Sequence, residues 1–456
     1  MNDYRQLGIG NPSDDPAVVG DEIPGYDYSG GRHYATLPVE VLPSGDFTNT
    51  SVDLIDAGVS HTCAVEDGEM FCWGRGSSGR LGNGDTNDRN LPTKVSAQDG
   101  FLNQNVTAIS VGVQHTCAVE GGVVYCWGSG SSGRVGQPEG SSYLLPQIVL
   151  AGIDGDGPSK FINSGVQSVA AGSSHTCALK TGVVYCWGSG SEGRIGVDSY
   201  DPASPTYDDT DPHLPRKVSS EGTFLNASVS DIGVWGATSC AIENGAMFCW
   251  GSGIVMGAPL GGDGYYPVFF TATPVSSGPD GFSNTSIESF TLAKDATEGS
   301  HACAIKSGAV YCWGANKYGQ LGNGNVLPTV DENGDPTYDA TQLAPVEVVD
   351  HQEIAPVSTS EVGVTSNLPT YLNSNVTVVT GGQTFTCAIR GGNLYCWGRN
   401  DYGQLGTGDD NSTQRSIPWL VFNPSEDPGT PSFDFDIDLD HYRRAADEMT
   451  SLPDTR

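Results

Sequence analysis

Twelve cysteines are the residues of this chain with the most evident chemistry, and they occur as six pairs whose members lie nine positions apart. Paired thiols can be oxidised to a disulfide, bind zinc as thiolates, or remain unreacted as buried hydrophobes. This spacing exceeds that of a C-x2–4-C zinc knuckle, and two thiolates fill only half of a tetrahedral zinc site. We therefore predict six disulfides: Cys63–Cys72, Cys117–Cys126, Cys177–Cys186, Cys240–Cys249, Cys303–Cys312 and Cys387–Cys396.

Each pair lies within one copy of a short pattern, such as HTCAVEDGEMFCWG at 61–74, that predicts a β-hairpin. Two strand-like runs flank a two-residue turn, Asp67-Gly68, which is typical of a type I′ hairpin. In such a hairpin, Cys63 lies directly opposite Cys72 at a non-hydrogen-bonded position, where Cα atoms are about 4.5 Å apart. That distance lies within the disulfide range of roughly 4.4–6.8 Å. The other five copies lie at 115–128, 175–188, 238–251, 301–314 and 385–398.

The hairpins are apolar on both faces and need cover on both sides. Cys63 and Val65 point one way, whereas Ala64 and Phe71 point the other. Further strand candidates precede and follow each hairpin, which gives about four strands per repeat unit. Radially stacked blades, each packed between two neighbours, satisfy this pattern.

The segment after each hairpin carries a second motif, as in WGANKYGQLGNG at 313–324 and WGRNDYGQLGTG at 397–408. With this motif, the unit closely resembles the RCC1 (regulator of chromosome condensation) repeat, in the cysteine-bearing variety of secreted and cell-surface microbial proteins. The resemblance covers nearly all of 1–422 and implies an all-β RCC1-like β-propeller, usually of seven blades. Since YRQLGIG at 4–10 matches the tail of a repeat, we expect six full blades plus a partial N-terminal blade.

We accordingly divide the chain into a partial blade (1–50), six repeats that form the propeller (51–422), and an acidic alternating strand with a C-terminal tail (423–456). The start of the chain is polar and carries no apolar signal segment. Because disulfide density indicates an oxidising compartment, we expect an incomplete N-terminus of a longer secreted protein.

The charge balance excludes several classes of partner. The chain has 54 acidic against 21 basic residues and a net charge of −33. Nucleic-acid binding needs clustered Lys and Arg, and anionic lipid repels an acidic surface. No apolar run is long enough to span a membrane. We therefore expect a solvated acidic surface and a monomer that binds neither nucleic acid nor membrane.

Three residue types recur once per repeat at fixed positions. We expect the histidines to bond neighbouring backbone rather than form a metal ring, and the tryptophans to pack between blades rather than stack on a ligand. The arginines either bond loops of adjacent blades or form a basic spot on one rim. These residues are His61, His115, His175 and His301; Trp73, Trp127, Trp187, Trp250, Trp313 and Trp397; and Arg80, Arg134 and Arg194.

Two sets of residues are candidate modification or metal sites. Six sequons are either glycan acceptors or turn residues: Asn49, Asn105, Asn226, Asn284, Asn375 and Asn411. The stretch at 432–440 alternates apolar residues with Asp434, Asp436, Asp438 and Asp440. It could close the ring as a strand or bind Ca²⁺, as could Asp154 and Asp156, and we favour a structural or tail role.

No paired carboxylates, catalytic triad or phosphate-cradling loop stands out, and no cofactor is expected. The insertions at about 198–213, 254–274 and 325–342 differ between repeats and would gather on a rim. We predict a non-catalytic, secreted or cell-surface interaction module that binds a protein or glycan through rim loops. One alternative is a guanine-nucleotide exchange factor for a small GTPase, by family analogy. The other is a glycan-active enzyme at the central channel.

Overall fold

The computed structural model describes most of the 456-residue chain. The described residues are 6–9, 26–29, 32–35, 38–138, 140, 142–152, 161–197, 213–252, 268–293, 301–324, 329–330, 336–337, 342, 344–350, 372–407 and 414–421. Asn411, Asp154, Asp156 and the 432–440 stretch lie outside them, so the predictions for those residues stay predictions.

The described strands form six four-stranded antiparallel sheets and two small hairpins. The strands of the N-terminal hairpin and the first three sheets are β1 (Tyr26–Ser29), β2 (Arg32–Ala35), β3 (Val52–Ala57), β4 (His61–Glu66), β5 (Glu69–Gly74), β6 (Arg89–Lys94), β7 (Val106–Val111), β8 (His115–Glu120), β9 (Val123–Ser129), β10 (Ser142–Ile148), β11 (Val166–Ala171), β12 (His175–Lys180), β13 (Val183–Gly188) and β14 (Arg216–Lys217). Those of the last three sheets and the second hairpin are β15 (Val229–Trp235), β16 (Thr238–Glu243), β17 (Ala246–Ser252), β18 (Val268–Pro274), β19 (Ile287–Leu292), β20 (His301–Lys306), β21 (Ala309–Gly314), β22 (Thr329–Val330), β23 (Pro336–Thr337), β24 (Val346–Glu347), β25 (Val376–Gly381), β26 (Phe385–Arg390), β27 (Asn393–Gly398) and β28 (Arg415–Leu420).

Each sheet is one blade of an all-β propeller with six blades. The blades are β3–β6, β7–β10, β11–β14, β15–β18, β19–β21 with β24, and β25–β28. The first strands of consecutive blades contact one another, from β3 and β7 through to β19 and β25. The first strands therefore lie innermost and the fourth strands outermost, with β22–β23 a small hairpin outside the blades.

The six disulfides are confirmed. Cys63 pairs with Cys72 across β4 and β5 in the predicted register, and the equivalent pairs repeat it. All six bridges have a Cα–Cα distance of 4.1 Å, and no cysteine is free. The cysteines are therefore covalent links between the second and third strands of each blade, and not thiolate ligands.

The core lies between blades, as the two apolar faces of each hairpin predict. Cys63 and Met70 of the first blade pack against Val111 and Trp127 of the second. The six repeat tryptophans are at most 1% exposed. Each blade thus contributes to two interblade layers, and burial of these apolar faces drives the ring-like arrangement.

The inner strands approach closely at one end. A Cβ built on Gly58 would lie 2.3 Å from the carbonyl oxygen of Gly112, and one on Gly112 would lie 2.5 Å from that of Gly172. Only glycine fits such a backbone contact. The inner strands also bond one another, since the Asp56 carboxylate accepts the Val111 N–H at 2.7 Å.

Candidate functional site

The repeated histidines are structural links between consecutive blades. Each imidazole Nε2 bonds a hydroxyl of the next blade, at 2.7–2.9 Å. The pairs are His61–Thr116, His115–Thr176, His175–Ser239 and His301–Thr386. All four histidines are buried, and no three His, Cys, Asp or Glu within the described ranges are grouped to hold a metal ion. The expectation of a backbone partner was wrong in detail, because the partner is a side-chain hydroxyl.

The histidine and its hydroxyl partner are lost together between the fourth and fifth blades. The fourth blade carries Thr238 at the histidine position, and the fifth blade carries Ala302 where its neighbours carry Thr or Ser. Both members of the pair are therefore absent together. The sequence shows this joint change only when the histidine position of one repeat is compared with the Thr or Ser position of the next repeat.

Burial holds the imidazoles of His115 and His175 neutral. Burial lowers the pKa of His115 well below its usual value, and the Arg134 guanidinium lowers it further. The pKa of His175 is likewise lowered by burial and by Arg194 and Arg134. In contrast, burial raises the pKa of the Asp231 carboxyl on β15 to about 7, although it accepts the Ile232 N–H.

These shifts predict an acid-sensitive fold. As pH falls below about 6.5, His115 takes up a proton in the unfolded chain but not in the folded one, so the free energy of unfolding falls. His115→Gln keeps a hydrogen-bonding side chain but cannot titrate. We expect it to reduce the pH dependence of the free energy of unfolding by about 1.4 kcal/mol per pH unit between pH 6.5 and 5. Denaturant unfolding of both proteins at several pH values measures it. The same pH dependence in both proteins would contradict the assignment of His115 as buried and neutral. Asp231 contributes in the opposite direction but is present in both proteins, so its contribution cancels in the comparison.

A carbonyl at the Gly-rich turn receives two hydrogen bonds from the next blade. The Arg80 oxygen accepts the Trp127 indole N–H at 3.0 Å and the Thr116 hydroxyl at 2.8 Å. The same arrangement recurs at Gln6, Arg134, Arg194 and Gln320. All six tryptophans are therefore packed between blades, five of them with this hydrogen bond, and no face of them is free for ligand stacking.

The repeated arginines bond turns rather than form a basic spot. Arg80 donates to the Val113 carbonyl of the second blade and to the Ser60 hydroxyl of the first. Arg134 donates to the Ser173 carbonyl of the third blade. Both guanidinium groups are buried, so these arginines bond loops of adjacent blades, which was the first of the two alternatives.

The two rims of the propeller carry different connections between strands. The insertion rim is the end that carries the turns between first and second strands and the connections between third and fourth strands. The hairpin rim is the opposite end, with the Asp67-Gly68 type turns and the linkers between blades. The predicted insertions at 198–213, 254–274 and 325–342 lie mostly outside the described residues. Their described flanks, such as Val197 and His213, lie in third-to-fourth connections and hence at the insertion rim.

One aromatic cluster lies on the insertion rim between the fifth and sixth blades. The Arg399 guanidinium lies 4.7 Å from the ring centre of Tyr318 and 5.9 Å from that of Tyr402. Arg399 also pairs with Asp401 at 2.5 Å. These side chains are partly exposed, and they are of the types that dominate binding hot spots.

The described sequons fall into two structural classes on the hairpin rim. Asn226 is fully buried, and its amide nitrogen donates to the carbonyls of Val184 and Val218. Asn49 and Asn284 hold the equivalent position and also donate to backbone carbonyls. In contrast, Asn105 and Asn375 are exposed, with φ of 56° and 54°. The side-chain amide nitrogen, to which a glycan would be attached, donates hydrogen bonds to backbone carbonyls in the first class only.

Glycan attachment stays a prediction for the exposed class. If the host glycosylates the protein, we expect glycan on Asn105 and Asn375 and none on Asn226, because a buried amide cannot reach the transferase. Intact-mass spectrometry before and after glycosidase treatment, with Asn105→Gln and Asn375→Gln variants, checks this. A glycan located on Asn226 would contradict the distinction.

The chain resembles known propellers across most of its length. The profile of the RCC1-like domain matches residues 1–434. The ultraviolet-B receptor UVR8 of Arabidopsis thaliana is 29% identical over 78% of this chain and 67% of its own length. The mouse E3 ubiquitin-protein ligase HERC2 is 27% identical over 86% of this chain, which spans only 7% of that ligase.

A solved structure shows the same fold. Prp20p of Saccharomyces cerevisiae superposes with a TM-score of 0.63 at 17% identity, covering 99% of this chain and 94% of its own. That protein is described for its binding to Gsp1p and histones. Separately, none of the helices in the described ranges is long and apolar enough to cross a membrane.

Proposed function

The chain belongs to the RCC1-like domain family, and from that premise we propose that it is a non-catalytic interaction module that binds a protein or glycan through its insertion rim. Fold alone does not fix function, so the proposal depends on how the residues are used. The observation that carries it is that the recurring His, Arg and Cys side chains are bonded within the fold, whereas the insertion rim carries partly exposed Tyr and Arg side chains.

The repeated residues that could do chemistry are engaged in holding the blades together. The histidines bond hydroxyls, the arginines bond turns and the cysteines are bridged. The third-to-fourth connections on the insertion rim differ in length between repeats, as do the linkers on the hairpin rim, and the insertion rim also carries the Tyr318–Arg399–Tyr402 cluster. Binding surfaces are commonly variable loops on such a rigid scaffold. This supports partner binding at the insertion rim rather than catalysis.

The disulfides support a location outside the cell or on its surface. Bridges in all six blades are expected to persist in an oxidising compartment and are rare in the cytosol. Glycans at Asn105 and Asn375, if present, would lie on the hairpin rim and leave the insertion rim open. The two features are thus compatible with one extracellular binding surface.

We also propose that residues 6–9 and 38–50 are the outer part of a further repeat. The Leu42 N–H bonds the Gly8 carbonyl at 3.0 Å, as Ser96 bonds Gly82 in the first blade. The Gln6 carbonyl accepts the Trp73 indole N–H at 2.9 Å, as the carbonyls at the ends of complete blades do. These contacts support a partial blade next to the first blade.

The proposal is tested by binding to the surface of the producing host's cells and to its secreted glycans and proteins. We expect fluorescently labelled protein to bind saturably. Arg399→Ala, or replacement of 198–212 by a short connection such as that of the second blade, should weaken binding at least tenfold. Leu102→Ser on the hairpin rim is the control, since Leu102 is 63% exposed and its loss leaves the fold intact. Binding lost only in the control would overturn the proposal.

The exchange-factor alternative is tested on the same protein. Release of labelled GDP from small GTPases is measured with and without the chain. An acceleration of release that Arg399→Ala leaves unchanged would favour exchange activity over the proposed rim interaction.

A further inference from the structure

The contact between the fourth and fifth blades, which we call the Thr238 seam, lacks a link that joins the other consecutive blades. At each of the other contacts between consecutive four-stranded blades, a histidine Nε2 bonds a hydroxyl of the next blade, and that hydroxyl donates to a turn carbonyl. In the fourth blade, the Thr238 hydroxyl donates instead to the Ser252 carbonyl of its own blade at 2.7 Å. Ala302 of the fifth blade has no hydroxyl. Both hydrogen bonds of the link are therefore missing at this seam.

The inner strands at the Thr238 seam also lack a bond that three other blade contacts have. There, a side-chain oxygen of one inner strand accepts an N–H of the next at 2.7–3.1 Å, in the pairs Asp56–Val111, Ser110–Ala171 and Thr291–Gly381. Gly233 holds the acceptor position on β15 and has no side chain. The Phe290 ring of the fifth blade lies against it, since a Cβ built on Gly233 would be 2.8 Å from that ring. Apolar packing thus takes the place of these bonds at the insertion-rim end of the seam.

The hairpin-rim end of the same seam is bonded as in the other blades. The Asn284 Oδ1 accepts the Met247 N–H at 2.7 Å, and the Ile287 N–H donates to the Gly245 carbonyl at 2.9 Å. The first and second blades are joined by the same two bonds. The fourth and fifth blades are therefore held less firmly at the insertion rim than at the hairpin rim, which can act as the hinge if they separate.

An unpaired carboxylate faces this seam. Leu54 and Ala108, which hold the equivalent position on the first two inner strands, pack between their own blade and the next. Asp231 therefore points from β15 towards the fifth blade, where it is partly buried. Its Oδ1 accepts the N–H of the adjacent Ile232 at 2.8 Å. The inner strands of the other five blades carry no charge at this position.

The titratable groups around β15 on the third and fourth blades are engaged elsewhere. His175 bonds a hydroxyl of β16, and Lys180 donates to a linker carbonyl. Glu243 accepts N–H groups of the linker before β15. Tyr185 packs on the opposite face of its blade, towards the second blade. None of these side chains donates to Asp231.

The titratable groups across the seam, on the fifth blade, also supply no counter-ion. Glu288 on β19 is exposed and has the same charge as ionised Asp231. His301 on β20 bonds a hydroxyl of the sixth blade, and Lys306 donates to a linker carbonyl. Burial raises the pKa of Tyr311 on β21, so its hydroxyl stays neutral near neutral pH. Within the described ranges, an ionised Asp231 thus meets an apolar layer and a like charge.

We propose that the Thr238 seam is a pH-dependent opening in the propeller, which is closed while Asp231 is protonated and opens at the insertion rim when that carboxyl ionises. An unpaired charge held against apolar side chains is strongly unfavourable, and separation of the two blades returns it to water. This inference is independent of the proposed partner binding.

The pH range follows from the surroundings of Asp231. Burial raises the pKa of its carboxyl from 3.8 to about 7 in the closed seam. In the open seam, water restores a pKa of about 4. The open form therefore binds fewer protons, and its population relative to the closed form rises about tenfold per pH unit between about pH 5 and 6.5. Well above pH 7 the ratio levels off, because the carboxyl is then ionised in both forms.

The test measures how fast a thiol placed inside the seam reacts. Ala304→Cys puts a thiol in the fully buried layer of the Thr238 seam, and Ala178→Cys puts one at the equivalent position between the second and third blades. Each is made in the full chain with and without Asp231→Asn. Labelling by dithiodipyridine is followed by intact mass at several pH values. Comparing the two proteins at one pH cancels the pH dependence of the thiol itself.

We expect the labelling rate at Ala304→Cys, divided by its rate in the protein that also carries Asp231→Asn, to rise about tenfold per pH unit between about pH 5 and 6.5. At Ala178→Cys the same ratio should not change with pH. Glu288→Gln is the matched control, because it removes an exposed carboxyl of the same seam, and it should leave the pH dependence at Ala304→Cys unchanged.

A second variant tests the missing link directly. Thr238→His with Ala302→Thr supplies the imidazole and the hydroxyl that the other blades have. It should slow labelling at Ala304→Cys about fivefold near neutral pH, an effect typical of one buried hydrogen bond. Thr238→His alone has no hydroxyl partner and should not slow it.

Two results would overturn the proposal. One is the same pH dependence of labelling at Ala304→Cys with and without Asp231→Asn. The other is an equal response at Ala178→Cys, which would show that Asp231 acts on unfolding of the whole propeller rather than on one seam.

Discussion

Trp187→Ala is expected to lower the free energy of unfolding by about 3–5 kcal/mol, which is the usual cost of deleting a buried aromatic side chain. Trp187 is fully buried between the second and third blades, with its ring centre 6.3 Å from that of Phe161. Its indole N–H donates to the Arg134 carbonyl at 3.0 Å, so the substitution opens a cavity and leaves a carbonyl with one donor fewer. Denaturant unfolding followed by circular dichroism measures the loss.

Trp419→Ala is the matched control for this prediction. Trp419 lies on the outer strand β28 and is half-buried, with the Arg415 guanidinium 3.8 Å from its ring centre. The same substitution there removes less buried surface and should cost less than half as much. Equal losses at Trp187 and Trp419 would contradict the assignment of the repeat tryptophans to the interblade core.

Complete reduction of the disulfides is expected to leave the protein unfolded, or nearly so, at room temperature. Each bridge closes a loop of about ten residues, which in the chain-entropy model contributes a little under 3 kcal/mol. Six such contributions exceed the 5–15 kcal/mol that is typical of whole domains. Because the cysteines are buried, reduction should be done in denaturant, followed by removal of the denaturant under reducing conditions. Far-ultraviolet circular dichroism then reports the fold.

Removing a single disulfide measures the contribution of one bridge to the free energy of unfolding. Cys177→Ala with Cys186→Ala should destabilise the protein by about 2–3 kcal/mol while the other five bridges persist. Alkylation and mass spectrometry confirm the thiol state of each sample. A fully reduced sample that melts at the temperature of the oxidised one would show that interblade packing alone holds the propeller.

The hairpins were predictable from the sequence because their information is local. The turn Asp67-Gly68 fixes the register, and the register places Cys63 opposite Cys72 without reference to the remainder of the chain. The apolar pattern on both faces likewise required neighbours on both sides. Blade architecture and covalent links therefore followed from residues that lie within one repeat.

Contacts between repeats were harder to predict from the sequence. The partner of His115 is Thr176, which is 61 residues away, and its identity depends on how consecutive blades are rotated. The sequons show the same limit, since Asn226 and Asn105 share a sequence signal but differ in burial. The packed linker shows that Asn226, three residues before its strand, binds backbone, whereas Asn105, directly before its strand, faces solvent.

We propose that this propeller is a disulfide-bridged binding module of an oxidising environment. The most direct measurement is a free-thiol count on protein from its native host, denatured without reductant, alkylated and weighed by intact-mass spectrometry. We predict that none of the twelve cysteines is alkylated. Twelve alkylated thiols would contradict the claim, because the cysteines would then be core residues of a protein from a reducing compartment, where the exchange-factor alternative belongs.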